Sequence, residues 1–158
     1  TKKDLKKPDL NKIERCFKIA TFYGFFPSFF GGDFWKNAEI HNQYRKFFKK
    51  YIPVIKEISK AGWEPITDAM VSSKNIKVEK FGNLYQGKYV YFTLLSDSKK
   101  VERVEMDFLV PEKIKSKISA IDLLNQGRCF SPDIRKNHAI FRFDLAPEEI
   151  IVLKINKG

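Results

Sequence analysis

A chain of 158 residues, 43% hydrophobic and 15% aromatic, has ample material for a packed core, which excludes a disordered polypeptide. No run approaches the roughly 18 apolar residues of a membrane-spanning helix, since even 22–30 is broken by Gly24, Pro27 and Ser28, and no membrane partner is expected. The formal charge of +11 is uneven: residues 1–62 hold 14 Lys and Arg against 6 Asp and Glu, whereas 63–158 hold 16 against 13.

The basic start leads into Pro8, Asp9, Leu10 and Asn11, which reads as a helix start and not as the apolar core of a secretory signal; the compartment expectation leans cytoplasmic. Asp9 or Asn11 caps a short helix whose apolar positions Leu10, Ile13, Phe17 and Ala20 follow a three-to-four spacing, with Cys16 and Ile19 widening the stripe. The aromatic-rich stretch 22–35 follows. Its glycines, proline and serine make it a loop or extended turn with many rings to place. In an isolated domain such rings are core for whatever covers them. In a cleft they stack on flat or ring-shaped ligands, with Tyr23, Asp33 and Trp35 adding polar contacts.

Asn37 caps a second helix running to about Ala61. Ile40, Tyr44, Phe47, Tyr51, Ile55 and Ile58 lie along one face, and Lys46, Lys49, Lys50, Lys56 and Lys60 along the outer one. Pro53 removes one backbone hydrogen bond, so a kink or break near Lys49 is expected, and Gly62 ends the helix as a left-handed cap. Beyond it the hydrophobic period changes from helical to alternating. Seven strands are read at 66–72, 76–81, 89–95, 101–109, 120–124, 138–143 and 150–155, separated by turn clusters and not by helical crossovers. That favours an antiparallel sandwich. The fold class is therefore α+β, with a helical segment over 1–62 and an all-β sandwich of about seven strands over 63–158.

Cys16 and Cys129 fall in different units and read as two buried free thiols, with one long-range disulfide as the alternative. His41 and His138 lack a second ligand at metal spacing and read as ordinary surface or helix-face histidines. No phosphate loop, nucleophile elbow or zinc spacing occurs, and no cofactor is expected. With 24 Lys to 6 Arg, the basic excess reads first as a solvated helix face and second as a surface for nucleic acid.

Several phrases together carry a resemblance. They are the loop Phe22-Tyr23-Gly24-Phe25-Phe26-Pro27-Ser28-Phe29-Phe30, the helix phrase Tyr44-Arg45-Lys46-Phe47-Phe48-Lys49-Lys50-Tyr51-Ile52-Pro53, Ala61-Gly62-Trp63-Glu64-Pro65, Val78-Glu79-Lys80-Phe81-Gly82, and the closing Leu145-Ala146-Pro147-Glu148-Glu149. In this order they resemble the C-terminal end of large (β/α)-barrel glycoside hydrolases, where the last barrel strand and helix feed into an antiparallel sandwich. The resemblance implies that the 22–35 loop lies on the catalytic face, so that Tyr23, Phe26, Phe29, Phe30, Asp33 and Trp35 border a carbohydrate site.

It also implies that the helix 38–61 packs on a barrel, or on a partner protein, absent from this chain. In that case Tyr44, Phe47, Tyr51 and Ile55 form an exposed patch unless they are recruited to cover the sandwich. Catalysis is not expected of these residues. Glycoside hydrolysis needs two carboxyl groups about 5 to 10 Å apart, and here Glu64 and Glu79 read as surface ion-pair partners while Asp33 stands alone. The function expected is a non-catalytic accessory region of a glycoside hydrolase, with a nucleic-acid-binding or protein-docking module as the alternative.

Overall fold

The computed structural model describes residues 9–28, 38–112, 118–125 and 127–156. Two helices and ten strands form within them. Helix α1 (Leu10–Phe22) is capped by Asp9, whose carboxylate accepts from the backbone N–H groups of Asn11 and Lys12 at 3.1 and 3.4 Å. Helix α2 (Ala38–Ala61) runs unbroken through Pro53. Gly62 then closes it at φ +83, a conformation that costs glycine nothing, and its carbonyl accepts from the Gly82 N–H at 2.7 Å.

The strands are β1 (Trp63–Glu64), β2 (Ala69–Val71), β3 (Ile76–Phe81), β4 (Tyr89–Ser96), β5 (Glu102–Leu109), β6 (Ser119–Asp122), β7 (Cys129–Phe130), β8 (Asp133–Arg135), β9 (His138–Leu145) and β10 (Ile150–Asn156). They make a six-stranded sheet in the order β1-β3-β4-β10-β6-β7 and a four-stranded sheet in the order β2-β5-β9-β8. Each pairing is antiparallel. The α+β class with its antiparallel sandwich is the observed one. Three of the strands, β1, β7 and β8, are two- or three-residue pairings that no periodicity announces. The predicted strand 66–72 shrinks to β2 because Asp68, at φ +51, leaves the extended region.

Burial explains which strands alternate. In β5 the residues Val104, Met106 and Phe108 are buried, while Arg103, Glu105 and Leu109 face water, as in a strand with one wet face. β4 and β10 lose the alternation because the six-stranded sheet is covered on both sides. Phe92, Leu94, Ile151, Leu153 and Ile155 pack with Met106, Phe141 and Leu145 in the inter-sheet core. On the other face Phe81, Tyr91, Ile150 and Val152 pack with Phe17, Phe22, Tyr51, Ile55 and Ile58 of the helices. The molecule thus has three layers: helix pair, six-stranded sheet, four-stranded sheet. Tyr44, Phe47, Tyr51 and Ile55 are buried, and the last three pack in one cluster with α1 and the six-stranded sheet, so this part of the apolar face of α2 is recruited to cover the sandwich and its own neighbour α1.

The thiol expectation is corrected. Cys16 and Cys129 are free, but both are exposed. The burial of α1 is concentrated in its last turns, at Phe17, Ala20, Thr21 and Phe22, which leaves Cys16 on the wet side. Cys129 sits on β7, at the edge of its sheet. His138 Nδ1 lies 2.7 Å from Asp107 Oδ1 across the β5–β9 pairing. No described helix is long and apolar enough to cross a membrane.

Candidate functional site

The aromatic loop leaves α1 through a tight turn. The Gly24 and Phe25 N–H groups donate to Thr21 and Ala20 carbonyls, and Ser59 Oγ of α2 donates to the Gly24 carbonyl at 2.6 Å. Gly24 has φ +67, and a Cβ there would fall 2.5 Å from the ring of Phe81, which is itself buried. Glycine is therefore required twice, for the backbone angle and for the close approach. The turn sends three rings outward: Tyr23, Phe25 and Phe26 are 49%, 50% and 52% exposed.

Of the predicted site residues, Tyr23 and Phe26 are described, whereas Phe29, Phe30, Asp33 and Trp35 lie outside the described residues. Tyr23 and Phe26 line different depressions. Tyr23 borders a small cleft of about 140 Å³ with Arg15, Lys18, Lys77, Asp97 and Glu148. Its cations are committed: Arg15 pairs with the Glu148 carboxylate, Lys18 Nζ donates to the Glu148 carbonyl at 2.9 Å, and Lys77 pairs with Asp97 at 2.6 Å. Phe26 borders an open depression of about 580 Å³ with Pro53, Lys56, Glu57, Ser59 and Lys60.

A third depression, of about 450 Å³, lies on the other side of Glu57 and Lys60. Glu64, Asn83, Gln86, Lys88, Tyr89 and Tyr91 help to line it. At its base Glu57 Oε1 accepts from Tyr91 Oη at 3.0 Å and from Lys154 Nζ at 2.6 Å, and that ammonium sits 4.1 Å from the Tyr89 ring centroid. Burial, followed by the hydrogen bond to Glu57, pushes the Tyr91 phenol above its ordinary range, so it remains a neutral donor. The result is a polar floor in which the Glu57 carboxylate is held by a phenol and an ammonium group.

Sequence reasoning missed this groove because Glu57, Tyr91 and Lys154 come from one helix and two strands far apart in the chain. The available signal was Tyr89 and Tyr91 at a spacing of two, on one strand face. Glu79 accepts from the Trp63 indole at 2.7 Å and so serves as a hydrogen-bond acceptor where an ion pair was expected. Asp122, wholly buried, spends both oxygens on Leu124 and Val152 backbone N–H groups, Asn125 and Arg128, and is a structural carboxylate.

No family model and no curated protein matches this chain. Solved structures do. The fold is similar to part of a protein put forward as an alpha-N-acetylgalactosaminidase from Bacillus halodurans C-125, with a TM-score of 0.54 and 10% identity over 95% of this chain and 33% of that one. It is similar as well to part of alpha-galactosidase I from Mortierella vinacea, with a TM-score of 0.52 and 14% identity over 98% of this chain and 37% of that one. The chain thus shares its fold with about a third of the length of these glycosidases.

Proposed function

We propose that this chain is a C-terminal β-sandwich accessory region of a glycoside hydrolase, non-catalytic by itself, which buttresses a barrel and borders its carbohydrate site with the loop around Tyr23 and Phe26. The observation that carries the reading is the fold likeness, which takes in 95% and 98% of this chain but only 33% and 37% of the two glycosidases. The change of architecture at Gly62 and Trp63 marks the proposed boundary between a helical remnant of the barrel end, 1–62, and the sandwich, 63–158. Since the apolar face of α2 is turned to the sandwich and α1, the barrel or partner protein would meet the helical layer on its remaining surface.

The test is turnover. The chain, assayed alone on aryl α-galactosides and aryl α-N-acetylgalactosaminides, is expected to release no phenol. Release that survives repurification and disappears with a single carboxylate substitution overturns the non-catalytic reading. A second reading, a docking module for nucleic acid or protein, rests on the row of exposed lysines along α2.

A further inference from the structure

On α2 the residues Lys49, Pro53, Lys56 and Lys60 recur at intervals of four, three and four, so they form one stripe about 16 Å long. All four are exposed. Among the described residues, Lys12, Lys50, Lys77, Lys80 and Lys154 each have a carboxylate partner, whereas Lys49, Lys56 and Lys60 have none. The stripe is therefore a row of lysines without ion-pair partners beside a depression whose floor is the half-exposed ring of Phe26 and the ring of Pro53; Glu57 also lines it, its carboxylate already bonded to Lys154 and Tyr91. The hydrogen bond from Ser59 to the Gly24 carbonyl holds the loop that carries Phe26 against the helix.

We propose that this stripe and the Phe26 depression bind an acidic polysaccharide, a glycan bearing uronate carboxylates or sulfate esters. The proposal rests on the accessory-region reading and names the ligand chemistry of its carbohydrate surface. An apolar ring pair suits the C–H face of a pyranose, and the flanking ammonium groups suit anionic substituents on successive sugars. A neutral glycan leaves the lysines without a role. Single-stranded nucleic acid needs a succession of free aromatic faces for its bases. Among the described residues, Tyr23 and Phe25 stack on each other, with centroids 6.1 Å apart and planes 14° from parallel, and Phe26 is the ring that lines the depression beside the stripe.

The experiment is affinity electrophoresis and calorimetry of the whole chain with three probes: polygalacturonate, neutral galactomannan and a single-stranded DNA oligonucleotide. Polygalacturonate is expected to bind at low salt and to weaken as salt rises. The triple variant K49Q/K56Q/K60Q weakens it about tenfold or more, and Phe26→Ala weakens it about fivefold. Circular dichroism confirms that these surface variants keep their helices. Galactomannan binding equal to that of polygalacturonate, tighter binding of DNA, an unaffected triple variant, or no binding to any polymer each overturns the acidic-glycan surface. Tighter binding of DNA favours the second reading; the other outcomes leave the accessory-region reading standing on the separate turnover assay.

Discussion

The two buried layers of this molecule are built differently. Between the sheets a continuous apolar cluster runs from Ile76 and Val90 through Met106 and Phe141 to Ile155, with the buried Lys80 of β3 paired to Asp68 at 2.7 Å beside it. Between the helices and the six-stranded sheet, apolar packing is laced with polar bonds. Tyr51 Oη donates to Glu14 at 2.9 Å, Tyr91 Oη to Glu57 at 3.0 Å, and Thr93 Oγ1 to the Phe22 carbonyl at 2.7 Å. Apolar burial is non-directional and supplies stability, whereas a buried donor that misses its acceptor is costly, so the polar bonds set where the helices sit. The inter-sheet core holds the molecule together, and the helix layer is held in register.

The largest effect tests the first half of that contrast. Phe141, wholly buried and stacked on Phe108 at 6.1 Å, leaves a cavity when changed to alanine. Urea unfolding of Phe141→Ala should show a loss of about 3 to 5 kcal/mol, in one transition seen alike by helix and strand probes. Next, Gly24→Ala forces a Cβ into the Phe81 ring at a positive φ, for about 1 to 3 kcal/mol. Amide exchange should quicken in α1 and α2 while β5 and β9 stay protected; uniform quickening would mean that the layers do not open separately.

The smallest effect is Tyr51→Phe, about 1 kcal/mol for the lost bond to Glu14, and it carries a pH signature. Burial, then Glu14, raises the Tyr51 phenol above its ordinary range. The folded state therefore keeps a proton that the unfolded chain releases above about pH 10. The stabilisation is complete below that pH and is lost as pH rises further, so an alkaline titration followed by helix ellipticity should fall less steeply in Tyr51→Phe. The inter-sheet core contains no phenol to titrate.

Much of this was legible in the sequence for a physical reason. The stripe of α2 and the alternation in β5 are local patterns, and each reports one buried face. The pattern marks β4 and β10 as strands, yet their second buried face is invisible in it because nothing local says what covers it. Spacing alone puts Cys16 in the α1 stripe, since it cannot show that burial is concentrated at one end of a helix. The polar floor around Glu57 was unreadable, since its partners lie 34 and 97 residues away. The exposed rings of Tyr23 and Phe26 were legible as a cluster, but the two depressions that separate them depend on α2 and β3.

A sheet covered on both faces has a consequence for inheritance. A gene segment that began at Trp63 would carry both sheets but strip the cover from Phe81, Tyr91, Ile150 and Val152, leaving an adhesive wall in place of a folded neighbour. Recombination between proteins can therefore move this sandwich only with its two helices attached, so the unit that selection can shuffle begins upstream of the point where the strands begin.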